Sequence, residues 1–73
     1  MPDSEIHNNI RRLRFEHDEM TQQQLADKAG CTRQTIILLE QNRYSPSLAL
    51  AFRIARAFGS NLEEVFTFNG EPG

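Results

Sequence analysis

The chain has 73 residues, 38% of them hydrophobic and 25% charged, and a formal net charge of −2 at pH 7. This length indicates one small domain, whose core would supply only about 3–5 kcal/mol of stability, so burial against a partner would help. The single cysteine excludes an internal disulfide, and no Cys/His cluster has zinc-ligand spacing, so neither a metal nor a cofactor is expected. The sequence contains no apolar run of membrane length and no secretory signal, which fits a cytoplasmic protein.

The charges are distributed unevenly along the chain. Residues 8–58 contain all eight basic residues but only five of the ten acidic ones, so this segment carries a net charge of +3. We therefore expect a modest electrostatic contribution to the binding of a polyanion, and only moderate non-specific affinity.

The first helix is predicted over residues 5–17, after an N-terminal arm formed by residues 1–4. This helix would bury Ile6, Ile10 and Leu13, which recur at helical spacing. Residues 18–19 would link it to the next helix.

The following segment predicts the first of two short helices. Thr21 is a good N-cap, and Gln24, three residues later, completes a capping box. The inward face is apolar and consists of Leu25, Ala26 and Ala29. Gly30 can take the positive φ that ends a helix.

The second of these helices would begin after Thr32, another N-cap, and run over residues 33–41 with Ile36 and Leu39 facing inward. Two capped helices joined by so short a turn must cross steeply, as in a helix-turn-helix. Such a crossing pushes the start of the second helix outward, and an α-helix fits the major groove of DNA.

Two more helices are predicted, and no strand of consequence. Ser47 would cap the fourth helix, which ends at Gly59. Its inward residues would be Leu48, Ala51, Ile54, Ala55 and Phe58. Asn61 would cap a short fifth helix. The residues expected to close the core there are Leu62, Val65 and Phe66, and residues 67–73 would form a C-terminal tail.

The two helix starts carry side chains suited to DNA. Arg33 matches the O6 and N7 acceptors of guanine and Gln34 matches N6 and N7 of adenine, although Arg33 has phosphate contact alone as an alternative. Thr32 caps its helix and is a candidate contact to the DNA backbone or to a thymine methyl. Gln22, in the first turn of the preceding helix, is expected to meet a phosphate oxygen together with the free amides there. The alternative for Gln22 is a plain solvated residue.

An ordered series of short sequence motifs resembles the Cro and phage-repressor (XRE) type of DNA-binding domain, from about residue 6 to residue 66. The matching motifs are IRRLR (10–14), TQQQLA (21–26), TRQTI (32–36), LE (39–40), PSL (46–48) and IARAFG (54–59). The resemblance implies an all-α, five-helix lambda-repressor-like DNA-binding domain over residues 5–66, with the helix-turn-helix at helices two and three.

The resemblance also implies roles for individual residues. Positions 33, 34 and 38 would face bases, with 37 beside them. In this chain Ile37 and Leu38 occupy two of these positions, where they would read thymine methyls unless one of them completes the core. Arg14 and Glu40 match an ion pair that holds the recognition helix in orientation.

The loop after the recognition helix is rich in polar side chains. Asn42, Arg43 and Tyr44 are expected to clasp the sugar-phosphate backbone, which fixes register without reading sequence. Alternatively, Tyr44 packs on the core, and Asn42 takes the left-handed conformation that ends the helix.

A homodimer is expected because one recognition helix reads only a few base pairs, whereas two copies about 34 Å apart would read two half-sites. The contact candidates are Phe52, Phe66 and Phe68. Residues 66–68 alternate like a strand and would pair with the same segment of the mate. The alternative is that Phe66 closes the core and Phe68 is disordered.

These features predict a sequence-specific regulator that binds double-stranded DNA, with repression as the simplest mechanism and a palindromic operator. The sequence indicates no second domain for a ligand, so no small-molecule effector is expected. The runner-up is an antitoxin or other protein-interaction module built on the same fold. An enzyme is not expected, because the sequence shows no nucleophile–base pair, paired carboxylates or phosphate-cradling glycine loop.

Overall fold

A computed structural model describes residues 6–68 and shows five helices and two short strands in this range. The elements in chain order are β1 (Ile6–Asn8), α1 (Ile10–Glu16), α2 (Gln22–Ala29), α3 (Arg33–Glu40), α4 (Leu48–Phe58), α5 (Leu62–Val65) and β2 (Phe66–Phe68). The predicted five-helix architecture is therefore confirmed. The predicted arm, residues 1–4, lies outside the described residues.

The helix boundaries follow local capping signals. The hydroxyl of Thr21 accepts a hydrogen bond from the Gln24 amide, and the Gln24 side chain accepts one from the Thr21 amide in return. The Thr32 and Ser47 hydroxyls each accept a hydrogen bond from the amide three residues later, and Asn61 forms a second reciprocal capping box, with Glu64. Gly30 and Gly59 end α2 and α4 at φ values of 73° and 66°, where a residue with a Cβ is strained.

The core is formed by the apolar faces of all five helices. Its fully buried large side chains are Ile10, Leu25, Ile36, Leu39, Ile54 and Val65. The prediction that Leu48 faces inward is wrong: this side chain is 66% exposed, and Leu50 is buried instead. Leu48 is the first residue of α4, directly after the Ser47 cap, so it lies outside the stripe that reaches the core.

The N-terminal part of the chain differs from the prediction. Helix one begins at Ile10 rather than at residue 5, because Ile6–Asn8 form a strand that pairs antiparallel with Phe66–Phe68. Ile6 lies opposite Phe68 and is 36% exposed, so it is not a core residue. Thr67 and Phe68, expected in the tail, belong to this strand pair.

His17 joins the ends of two helices that are distant in sequence. Its Nδ1 lies 2.8 Å from the Leu13 carbonyl oxygen of α1, and its Nε2 lies 2.9 Å from the Phe58 carbonyl oxygen of α4. The imidazole and the Phe58 ring are 5.2 Å apart between centroids. This link holds the end of α1 against the end of α4.

Within residues 6–68, the helices are too short or too polar to cross a membrane.

Candidate nucleic-acid interface

The first turn of α3 is exposed to solvent, and the helix is held by its N-cap and by its buried face. The Thr32 hydroxyl accepts a hydrogen bond from the Thr35 amide at 3.2 Å and so caps the helix. Thr32, Arg33 and Gln34 are all exposed, whereas Ile36 and Leu39 are buried. The residues predicted to read bases are therefore presented to solvent on a helix fixed by its opposite face.

Ile37 and Leu38 lie on the sides of α3. Both side chains are half-buried, and the described core cluster includes neither of them. Part of each apolar surface therefore remains open to a partner. Contact with thymine methyls stays a prediction for these two residues.

Arg14 and Glu40 form the ion pair expected from the sequence resemblance. Arg14 Nε donates to Glu40 Oε2 at 2.7 Å and its Nη2 donates to Oε1 at 3.1 Å, a fork-to-fork arrangement. The side chains are only 11% and 10% exposed. Because Arg14 Nη1 also donates to the Met20 carbonyl at 2.9 Å, the pair ties α1 and the segment before α2 to the end of α3.

Gln22 belongs to the same network, which the sequence did not indicate. Its Nε2 donates to Glu40 Oε1 at 3.1 Å. This bond holds the amide at the start of α2, beside the end of α3, and leaves its second N–H available. The solvated alternative is wrong, while phosphate contact remains a prediction.

The loop that follows α3 begins with Asn42 in the left-handed conformation, at φ 59°. The Arg43 amide donates to the Leu38 carbonyl, which completes the helix ending. The Asn42 side chain accepts a hydrogen bond from Asn8 of β1 at 3.2 Å. Arg43 and Tyr44 are exposed, Tyr44 by 48%, and the side chains packed against the described core cluster do not include Tyr44, so the alternative that Tyr44 packs on the core is not supported.

Asn8 and Arg53 position the candidate interface, although no sequence pattern pointed to them. Asn8 Nδ2 donates to the Leu39 carbonyl at 2.7 Å, and Arg53 Nε donates to the Ala29 carbonyl at 2.7 Å. Their partners lie 31 and 24 residues away in sequence, so no local pattern reveals them. Burial raises the pKa of the Cys31 thiol in the turn, and the positive charge of Arg53 opposes this rise.

The three phenylalanines proposed for the dimer contact lie in different environments. Phe66 packs against the core, whereas Phe52 and Phe68 are 49% and 64% exposed. The strand formed by residues 66–68 pairs with β1 of its own chain, which is not the pairing with a mate that the sequence suggested. Leu48, one turn before Phe52 on α4, adds an exposed apolar side chain that was not predicted.

The chain is similar to known proteins in sequence and in fold. Residues 10–65 match the family described as Helix-turn-helix, and this match covers more than half of the chain. The chain belongs to the helix-turn-helix family. The matched segment runs from the first residue of α1 to the last residue of α5, so it includes Arg14, Gln22, α3 and Glu40.

Several helix-turn-helix relatives are similar over most of their length. One from Methanothermobacter thermautotrophicus is 54% identical over 61 residues, which cover 78% of this chain and 88% of the relative. One from Archaeoglobus fulgidus is 47% identical over 62 residues, 85% of this chain and 87% of the relative. One from Bacillus subtilis is 38% identical over 64 residues, 88% of this chain and 96% of the relative. All three are described as uncharacterized HTH-type transcriptional regulators.

The helix-turn-helix fold also recurs among solved structures. A crystal structure of a protein from Bacteroides fragilis matches with a TM-score of 0.74 and 22% identity, over 85% of this chain and 98% of the other. At this identity the likeness concerns the fold alone.

Proposed function

We propose that this chain regulates transcription by binding double-stranded DNA at a specific operator, as a homodimer that covers two half-sites. The relatives described as transcriptional regulators support the regulatory role, and membership of the helix-turn-helix family supports binding rather than catalysis. Repression is the proposed mode of action, because a dimer bound across a promoter blocks access of polymerase. The free thiol of Cys31 is consistent with the proposed cytoplasmic location.

The observation that carries this proposal is the exposed first turn of α3. A side chain reads a base only if it reaches the groove without unfolding its own helix, and Arg33 and Gln34 are exposed on a helix that the Thr32 cap and the buried Ile36 and Leu39 hold in place. We assign direct base contacts to Arg33 and Gln34, and apolar contacts with thymine methyls to Ile37 and Leu38.

The proposed backbone contacts surround this helix. Gln22 and Thr32 lie at the first turns of α2 and α3, where helix amides favour phosphate. Asn42, Arg43 and Tyr44 follow the other end of α3 and are exposed. These contacts would set the register of the helix in the groove and contribute little to sequence preference.

We propose that the dimer contact uses exposed apolar side chains outside the helix-turn-helix. Phe68 on β2 and Phe52 on α4 remain candidates because both are large, apolar and exposed, and Leu48 joins them for the same reason. Phe66 packs against the core but is only half-buried, so its remaining surface is also available to the proposed contact.

Selection of bound duplexes from a random DNA pool tests the proposal directly. The wild-type chain should recover two related half-sites with one fixed spacing of about one or two helical turns. Arg33→Ala should lose about 1–3 kcal/mol at one base position of each half-site and relax the preference there. Arg56→Ala, which removes an exposed arginine of α4, is the matched control and should leave the recovered sequence unchanged.

Three outcomes would each contradict a part of the assignment. A recovered pool without any sequence preference would reject an operator-binding role. Equal weakening of all sites by Arg33→Ala would show that this residue binds only phosphate. Light scattering of the chain with and without the selected duplex gives the stoichiometry, and one chain for each duplex would reject the homodimer.

A further inference from the structure

A cleft of about 370 Å³ lies between α1, the start of α2 and the second half of α3. Arg11, Arg14 and Phe15 line it from α1, while Gln22 of α2 and Ile37 of α3 line the other side. Gln22 and Ile37 are two of the residues proposed above to contact DNA. The cleft therefore brings residues of α1 to the border of the proposed interface.

Phe15 is 54% exposed, and the guanidinium groups of two arginines lie near its ring. The guanidinium carbon of Arg11 lies 5.8 Å from the ring centroid, and that of Arg14 lies 5.9 Å from it. Both distances are within the range of about 6 Å at which a ring attracts a cation. An exposed arginine loses several rotamers when it is held in one position, and the ring offsets part of this cost for Arg11.

The two arginines differ in their remaining contacts. Arg14 donates to Glu40 and to the Met20 carbonyl, so its donors are largely used within the protein. Arg11 is exposed, and the ion pairs found within residues 6–68 do not include it. Its guanidinium is therefore positioned by Phe15 but not neutralised by an acidic side chain of the described residues.

Glu40 also lines the cleft, and its carboxylate would repel a phosphate if it were exposed and had no counter-ion. Its two oxygens accept two hydrogen bonds from Arg14 and one from Gln22, and only 10% of the side chain is exposed. The charges of Arg14 and Glu40 thus balance one another. The cleft therefore keeps the net positive charge of Arg11, and Gln22 lines the same cleft.

We propose that Arg11 binds a phosphate of the DNA backbone next to the one assigned to Gln22, and that Phe15 is the positioning residue that holds Arg11 for this contact. This inference rests on the proposed function and extends the interface from α2 and α3 to α1. The contact carries no base information, because a phosphate is common to all sequences. It should therefore strengthen binding to every site and make binding more sensitive to salt.

The salt dependence of binding tests the role of Arg11. Affinity of the full chain for the selected duplex is measured by fluorescence anisotropy between about 50 and 200 mM salt, and each phosphate contact contributes about −0.9 to the slope of log K against log[salt]. Arg11→Gln should reduce the magnitude of this slope by about one for each bound chain, and therefore by about two for a homodimer on its two half-sites, with equal loss of affinity on selected and random duplexes.

Arg12→Gln is the matched control, since it removes the same charge from the neighbouring position of α1. Arg12 is 3.7 Å from Glu16 and does not line the cleft. Its replacement should leave the slope nearly unchanged. Equal changes in slope for the two variants would indicate a general charge effect and overturn the contact, and an unchanged slope for Arg11→Gln would do the same.

Substitutions of Phe15 test the positioning role. Phe15→Leu keeps an apolar side chain but removes the ring, and should weaken binding about two- to fivefold for each bound chain, the range expected for one exposed cation–π contact. Phe15→Tyr restores a ring and should bind like the wild type. In the Arg11→Gln background, Phe15→Leu should cause no further loss, because the group that it positions is absent.

A purely structural role for Phe15 predicts a different pattern, in which the loss persists in the Arg11→Gln background. That additivity would overturn the positioning role. Thermal unfolding midpoints of all variants identify any that lose binding through unfolding. If Arg33→Ala still relaxes base preference while Arg11→Gln and Arg12→Gln behave alike, only this inference fails; if the wild type selects no sequence, the proposed function itself fails.

Discussion

The helix-turn-helix and the terminal strand pair are stabilised in different ways. The segment from Thr21 to Glu40 begins each of its helices with a side-chain cap, ends α2 at a left-handed glycine and buries an apolar face in the core. The pair formed by β1 and β2 has three residues in each strand, and its outermost side chains, Ile6 and Phe68, are 36% and 64% exposed. One region is therefore defined by local bonds and burial, and the other by a contact between distant segments.

The helix-turn-helix supplies a rigid surface proposed for DNA, and the strand pair supplies an exposed surface proposed for dimerisation. The part proposed to enter the DNA groove must keep its geometry, because a displaced side chain loses its base, and the structure fixes it with caps, buried isoleucine and leucine, and the Arg14–Glu40 pair. The strand pair is joined to the end of α3 by the Asn8 side chain, which donates to the Leu39 carbonyl, but it presents Phe68 to solvent, as a surface proposed for a second copy would require. Substitution of its exposed side chains can thus test the strand pair while α3 is observed.

The largest effect is expected from Ile36→Ala in α3. Ile36 is fully buried, so its truncation should cost about 2–5 kcal/mol, which is comparable with the whole stability expected of a domain of this size. Urea unfolding followed by circular dichroism should show a chain that is largely unfolded without denaturant. Ile36→Val, with an expected loss of about 0.5–1.5 kcal/mol, keeps the effect measurable.

Ile6→Ala in β1 is the control for this comparison, because the same side chain is truncated at a partly exposed position of the strand pair. Its cost should be clearly below that of Ile36→Ala. Equal losses at the two positions would show that the strand pair belongs to the same cooperative core as α3, and the distinction between the regions would be lost.

Gly30→Ala should have an intermediate effect. A Cβ built at this position would lie 3.8 Å from Arg53 Nε, an ordinary contact, so the cost comes from the φ of 73° rather than from a clash. We expect a net loss of about 1 kcal/mol, since strain in the folded chain is partly offset by reduced freedom of the unfolded chain.

Gly30→Asn is the matched variant for this turn. Asparagine tolerates the left-handed conformation, as Asn42 does at φ 59° after α3. The asparagine variant should therefore be more stable than the alanine variant in chemical denaturation. The reverse order would mean that a contact, not the backbone angle, decides which residue fits at position 30.

The same two regions show what the sequence can predict. The caps at Thr21, Thr32, Ser47 and Asn61 and the glycine endings involve residues within a few positions of each other, so their signals are visible locally and helices α2 to α5 follow from them. Helix α1 has no side-chain cap, and it begins at Ile10 rather than at the predicted residue 5. The strand pair joins residue 6 to residue 68. The alternation of residues 66–68 indicated a strand, but no local feature identified β1 as its partner.

Individual side chains of the candidate interface follow the same rule. The exposed position of Arg33 and Gln34 follows from their place after a cap, in the first turn of an amphipathic helix. The bonds of Asn8 to Leu39, of Arg53 to Ala29 and of His17 to Phe58 span 31, 24 and 41 residues, and depend on how the helices pack. Such contacts are decided by tertiary geometry, which helix propensity and spacing do not contain.

The smallest effect is expected from Phe68→Ala in β2. A cross-strand pair such as Ile6–Phe68 contributes about 0.2–1 kcal/mol, and both residues are partly exposed, so the unfolding free energy of the isolated chain should fall by no more than this. Hydrogen exchange should show the strand amides opening at lower free energy than those of α2 and α3.

Protein concentration then separates the two roles of Phe68. If this side chain also contributes to a dimer, the loss caused by Phe68→Ala should increase with protein concentration, because the wild type gains stability from association by mass action and the variant gains less. Phe15→Ala offers a comparison, as it removes another exposed ring, from α1. A loss for Phe68→Ala that is constant over concentration would confine its role to the strand pair and move the proposed dimer contact to Phe52 and Leu48 of α4.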